Sequence, residues 1–158
     1  MKKSLIIFVS IFASFTCYSQ TTKLPNPEAY FSALIVSDIE KSIDWYSKNL
    51  GFELLNKNES KEFEYKQANL KRGGVLIELI ELGSAVSPEI VIPNYTAKTR
   101  VKGFFKVGFL IADFDQWIEE LTKLKVEFHG SVVKSNETGK KMVIIKDPDG
   151  NRIQLFEK

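Results

Sequence analysis

The sequence has 158 residues, 44% of them hydrophobic and 27% charged, which is the make-up of a soluble globular domain. Its single cysteine excludes a disulfide framework and a thiolate metal cluster. The formal net charge of +2 includes Lys2 and Lys3, and without them the chain is neutral, which argues against a phosphate-tracking nucleic-acid surface.

Lys2 and Lys3 precede an uncharged apolar run from Leu5 to Phe15 and then small and polar residues. This is the three-part layout of a secretory signal peptide, and the run is too short to span a bilayer as a helix. Residues 1–19 are expected to be removed after Ser19, leaving a periplasmic or extracellular chain with no stable membrane insertion. The alternative is a lipid-anchored form through Cys17. Cleavage after Ser19 removes Cys17, so the mature chain holds its fold by its core alone.

Residues 20–29, with Pro25 and Pro27, read as an extended lead-in. "YFSALIVSD" predicts a strand, and Asp38 is placed to cap a helix over "IEKSIDWYSKNL" that Gly51 ends. Tyr46 falls on the apolar stripe of this helix, with Trp45 beside it as a partly covered ring. "FELLNKNES", "KEFEYKQANLKR" and "GVLIELIEL" predict three strands, the last two joined by a hairpin turn at Gly73-Gly74. A loop-rich connector, 83–103, carries Pro88, Pro93 and the small basic run "KTRVKG".

The order then repeats. "FKVGFLIAD" predicts a strand, and Asp113 with Gln116 forms a capping-box pattern before a helix striped by Phe114, Trp117, Ile118, Leu121 and Leu124. "VEFHGSVVKS", "KKMVIIKD" and "NRIQLFEK" predict the closing strands, with "DPDG" as a tight turn and His129 on the surface beside Gly130. The halves overlay without gaps at an offset of 75 residues, Asp38 falling on Asp113. A duplicated βαβββ unit follows: module one about 30–82, module two about 104–158, in one domain over 30–158.

"ALIVSDIEKSIDWYSKNLGF" and "DPDGNRIQLFE" resemble the opening and closing signatures of the vicinal oxygen chelate superfamily, which includes glyoxalases, dioxygenases and bleomycin-binding proteins. The resemblance implies an α+β fold. Two βαβββ modules pair into a curled mixed sheet around an open cup, with helices on the outer face. It also implies, in catalytic members, one divalent metal held by His from the first strand and Glu from the last strand of each module. Carried over, those positions are Phe31, Glu78, Lys106 and Gln154 in this chain. A ring, a cation and an amide replace three of four ligands, an ammonium has no lone pair to give, and His129 is the only histidine. No metal and no other cofactor is expected.

Strand alternation together with the resemblance turns Phe31, Ala33, Ile35, Leu76, Glu78, Ile80, Lys106, Gly108, Leu110, Arg152, Gln154 and Phe156 toward the cup. Ile77, Leu79, Val107, Phe109, Ile153 and Leu155 turn toward the helices. Lys106 is expected to approach Glu78 and stand in for the metal's charge, with Gln154 adding neutral hydrogen bonds. The leading functional expectation is a small-molecule ligand held in a metal-free cup by Phe31, Ile35, Leu76, Arg152, Gln154 and Phe156. The rivals are an enzyme of glyoxalase-like lyase or isomerase type with Glu78 as base and Lys106 as electrophile, a divalent-metal enzyme, and an interaction module whose cup is vestigial. The resemblance allows a cup closed within one chain or across a homodimer. No hydrolase elbow, P-loop or dinucleotide fingerprint is present.

Overall fold

The computed structural model describes residues 28–158 except residue 97. The signal-peptide segment, Cys17 and nearly all of the lead-in lie outside the described residues.

Strand β1 (Ser32–Ile35) leads to helix α1 (Ile39–Leu50), then β2 (Glu53–Ser60), β3 (Tyr65–Arg72) and β4 (Val75–Leu82). The connector contributes one short helical turn, α2 (Pro88–Val91), where a loop was expected. Strand β5 (Val107–Ile111), helix α3 (Phe114–Lys123), β6 (Glu127–Phe128), β7 (Val133–Lys134), β8 (Lys141–Lys146) and β9 (Arg152–Glu157) complete the chain. The α+β fold of two βαβββ modules is as expected. The strands form two mixed sheets, ordered β1-β4-β3-β2 and β5-β9-β8-β6, with β7 pairing β8. Among the described residues no helix is long and apolar enough to cross a membrane.

Local chemistry explains most boundaries. The Asp38 side chain accepts the Lys41 amide at 3.0 Å, and Glu81 on β4 accepts the Ile39 amide at 2.7 Å, so two carboxylates face the positive end of α1. Gly51 ends the helix at φ 62°, where a side chain would be strained, and its N–H returns to the Ser47 carbonyl. The capping box at α3 does not form. Asp113 sits at φ 53°, ψ 52° and makes no side-chain cap bond, because capping needs the extended backbone that aims the side chain at the third amide. The expected third strand begins late, at Tyr65, since residues 61–64 form a turn with Glu64 at φ 46°. The segment "VEFHGSVVKS" yields only two short pieces, β6 and β7, split by a turn at Gly130.

The outward faces of both sheets share one core. Leu34, Ile39, Tyr46, Leu70, Ile77 and Leu79 from the first module join Leu121, Val143, Ile145, Ile153 and Leu155 from the second, all almost fully buried. Each large aliphatic side chain so covered contributes roughly 1.5–3 kcal/mol of transfer free energy. Ile77, Leu79, Ile153 and Leu155 therefore sit where strand alternation puts them, and Phe109 is half-buried against Phe52. The modules also meet through polar contacts. The Ser37 backbone N–H donates to Asp149 Oδ1 at 3.1 Å, Asn151 Nδ2 donates to the Ile35 carbonyl at 3.3 Å, and the Tyr46 hydroxyl donates to Asp147 Oδ2 at 3.1 Å.

Candidate functional site: the inward faces of the two sheets

The parallel pairing of first and last strand repeats in each half. Ala33 lies opposite Glu78 in β1–β4, and Gly108 lies opposite Gln154 in β5–β9. Glu78 and Gln154 thus hold structurally equivalent positions of the duplicated unit, each beside the smallest residue of its neighbouring strand. The ungapped overlay slips by one residue at the last strands, where offset 75 would set Glu78 on Ile153. Small neighbours leave room above the sheet. At Gly108 the Phe156 ring uses it: an added methyl would stand 3.2 Å from the ring's Cε2.

In the first half, the half-buried Glu78 accepts a hydrogen bond from the Gln67 amide on β3. Ala33 and Ile35 flank it on β1, and both are exposed, as is Phe31 just before the strand. Phe31 packs edge-on against Tyr30 at 5.3 Å between ring centres. Leu76 and Ile80 are half-buried on the same face of β4 as Glu78.

In the second half, Lys106 donates to the Gln154 side-chain oxygen. Gln154 is buried, and its amide nitrogen donates to Met142 Sδ on β8 at 3.1 Å. Both ends of the amide are therefore held, which fixes its orientation. The Lys106 ammonium also lies 5.8 Å from the centre of the Phe105 ring, and the Arg152 guanidinium 4.6 Å from it. Phe156 and Arg152 are half-buried, and Leu110 is 71% exposed.

The expected approach of Lys106 to Glu78 is not what the chain does. Each takes an amide partner from its own sheet, and no ion pair joins them among the described residues. The reason lies in the topology. Glu78 and Gln154 stand on different sheets, and a glutamine one strand away from each charge offers a hydrogen bond without burying an ion pair. Among the described residues no group of three His, Cys, Asp or Glu side chains stands close enough to hold a metal ion. His129 is exposed at the turn after β6, where it was expected.

Sequence reasoning missed two partners, Gln67 and Met142. Gln67 alternates with Asn69 on β3, so a polar inward face on that strand was the available signal. Met142 had none, because a thioether in a strand reads as core.

Comparison with known proteins places this geometry in context. Residues 30–155 match the family model described as Glyoxalase/Bleomycin resistance protein/Dioxygenase superfamily. A Vibrio parahaemolyticus protein named "Probable lactoylglutathione lyase" is 38% identical over 143 residues, covering 85% of this chain and 93% of that protein. The crystal structure of SMU.1112c is 29% identical with a TM-score of 0.69, covering 83% of this chain and 98% of its own. A glyoxalase family protein from Enterococcus faecalis shares the fold at a TM-score of 0.71 and 24% identity, covering 82% and 97%.

Proposed function

The chain belongs to the Glyoxalase/Bleomycin resistance protein/Dioxygenase superfamily, and from that premise we propose that it binds a small molecule on its inward sheet faces without a divalent metal. The observation that carries this reading is the Lys106–Gln154 pair. An ammonium beside the fourth ligand position, with that amide already engaged at both ends, repels a cation and leaves it no donor. Phe31 and Glu78 at the remaining positions supply one carboxylate. Such a set does not fit a first-row divalent metal, which takes imidazole and carboxylate donors together. Apolar surface from Phe31, Ile35, Leu76 and Phe156, with Arg152 and Gln154 as sparse polar groups, has the composition of a small-molecule site.

The test is titration of the purified protein with nickel, zinc, manganese and iron(II), followed by thermal unfolding and metal analysis. The expected outcome is no stoichiometric metal and no shift in Tm. One tightly bound metal per chain would overturn the reading.

A second reading is supported by the Vibrio relative's name and by Glu78, a half-buried carboxylate on the inward face of β4. Here the chain is a glyoxalase-like lyase or isomerase, Glu78 taking a proton beside a carbonyl while Lys106 stabilises the oxyanion. Turnover of lactoylglutathione that is lost in Glu78→Gln and indifferent to chelators would favour this enzyme over a binding module.

Two further parts of the proposal concern the protein's setting. Residues 1–19 act as an export signal, which N-terminal sequencing of the mature protein tests. The working form is a homodimer in which a second copy covers part of the open sheet faces. Support comes from Phe31, Ile35 and Leu110, which are 52%, 54% and 71% exposed on inward faces. Light scattering tests the dimer through a concentration-dependent mass.

A further inference from the structure

A cavity of about 720 Å³ opens between the connector and the β8–β9 turn. Of the residues just assigned to the inward faces, it contains only Arg152. Its lining combines three cations, Arg100, Lys146 and Arg152, with the rings of Phe104 and Phe105. Two acids also line it, Glu89 and Asp149, and Asp149 is engaged by Ser37.

The condition of Arg152 is the telling feature. Its guanidinium lies 4.6 Å from the centre of the Phe105 ring, so one face is covered by an aromatic surface. It is half-buried, yet no described residue accepts a hydrogen bond from its N–H groups and no carboxylate pairs with it. Other cations of the same sheet are treated differently: Lys146 meets Glu127 at 2.5 Å and Lys141 meets Asp115 at 2.6 Å. A planar donor fork held over a ring and left without an acceptor has the donors to take a carboxylate in its own plane. Phe104, 71% exposed at the same cavity, offers apolar surface that water covers poorly.

We propose that this cavity binds a small organic carboxylate with a flat apolar body, its carboxylate on Arg152 and its body against Phe104. Arg100 adds positive potential around the anion, while that of Lys146 is offset by its ion pair with Glu127. His129 also lines the cavity and reports that potential: though its side chain is exposed, partial desolvation and then the charges of Arg152, Lys146 and Arg100, opposed by Glu127, hold its pKa below the ordinary histidine value. A bound carboxylate offsets those charges and moves the His129 pKa upward.

The experiment uses benzoate as the probe, with acetate and inorganic phosphate as comparison anions. Binding is followed by the His129 ring proton resonances, whose assignment is unambiguous because the chain has one histidine. The expected result is saturable benzoate binding with an upward His129 pKa shift. Affinity falls at least about tenfold in Arg152→Gln and is unchanged in Lys48→Gln, a charge removed from the exposed face of α1. Phe104→Ala, at an exposed position that folding does not depend on, is expected to weaken benzoate while leaving acetate unchanged. No saturation up to about 10 mM benzoate, or equal binding to wild type and to a folded Arg152→Gln, overturns the site. Acetate and phosphate binding as tightly as benzoate overturns the apolar part of the assignment.

Discussion

The Tyr46 hydroxyl, on the first helix, donates to Asp147 Oδ2 in the turn before the last strand, at 3.1 Å and out of contact with solvent. It joins residues 101 apart in sequence and ties module one to module two. Asp147 accepts three more hydrogen bonds, from the Asp149 amide at 3.0 Å and from the Asn151 amide and side chain at 2.8 and 2.9 Å. Because those three remain in Tyr46→Phe, the carboxylate is not orphaned. The expected cost is therefore that of one net hydrogen bond to a charged group, about 1.5–3 kcal/mol. Urea denaturation with an unchanged m-value checks it. A cost near zero would mean that this bond adds nothing to the apolar packing and to the Ser37–Asp149 and Asn151–Ile35 contacts between the modules.

Two carboxyls give stability opposite dependences on pH. Burial holds Asp147 above its ordinary value of 3.8, against the opposing pull of its hydrogen bonds. The folded state then takes up a proton before the unfolded state does as pH falls, so acidification toward 3.8 relieves a penalty at this site. Glu81 is held below its ordinary value of 4.5, chiefly by its hydrogen bond from Lys66 at 2.6 Å. Its contribution is present above 4.5 and is lost as pH falls through its lowered folded value. Denaturant unfolding from neutral pH to about pH 3, on wild type, Asp147→Asn and Glu81→Gln, separates them. The wild-type advantage over Glu81→Gln should shrink with acid, while the comparison with Asp147→Asn should move in favour of wild type. Parallel curves for all three proteins would refute both assignments.

Gly83 follows β4 and faces Glu64 in the turn before β3. A methyl on Gly83 would fall 2.2 Å from Glu64 Oε2, which can swing away, and 2.8 Å from Glu64 Cβ, which cannot without moving the backbone. Gly83→Ala should cost roughly 1–3 kcal/mol by overpacking. Glu64 holds φ 46°, a conformation that glycine adopts freely, so Glu64→Gly is expected to be neutral or mildly stabilising. In a double-mutant cycle, Glu64→Gly should recover most of the Gly83→Ala loss, because it removes the offending Cβ. Additive costs would place the strain elsewhere.

Ser42 presents the reverse situation. Its hydroxyl is buried in α1 with no hydrogen-bond partner among the described residues. Ser42→Ala removes an uncompensated polar group and improves helix propensity, so a gain of about 0.5–1.5 kcal/mol is expected. A loss in thermal or denaturant unfolding would show that the hydroxyl has a partner, such as a buried water.

Much of this fold was legible because its elements carry local signals that tertiary contacts did not override. Asp38, Gly51 and the stripe through Tyr46 mark α1 unaided, and alternation in "LIELIEL" and "RIQLFE" separates Ile77 and Ile153 from Glu78 and Gln154. Asp113 failed as a capping signal because side-chain identity says nothing about its own φ, here left-handed. At the site, the inward-facing residues were legible but their partners were not. Pairing Lys106 with Glu78 assumed that unlike charges find each other. Each instead takes a glutamine of its own sheet, Glu78 the diagonal neighbour Gln67 on β3 and Lys106 the side chain of Gln154 on β9. The Arg152 guanidinium over Phe105 joins β9 to the head of the strand expected from Phe105, which forms only from Val107, and strand alternation names no partner for either residue.

If metal is refused because of side chains and not because of the backbone, the refusal should be reversible. Ala33 opposite Glu78 and Gly108 opposite Gln154 keep the neighbouring backbone from crowding both last-strand positions, and at Gly108 the room is taken by the Phe156 side chain and not by the sheet itself. The triple variant Phe31→His, Lys106→His, Gln154→Glu would present two imidazoles and two carboxylates, counting Glu78, and would remove the repelling ammonium. We expect it to bind one nickel or zinc per cup and, at about 100 times the dissociation constant, to gain about 2.7 kcal/mol of stability, while wild type gains none. The readouts are metal content after dialysis and the shift in Tm. A folded variant that still refuses metal would mean that the four positions do not converge in solution. That outcome would also remove the positional basis for reading Lys106 and Gln154 as substitutes for metal ligands.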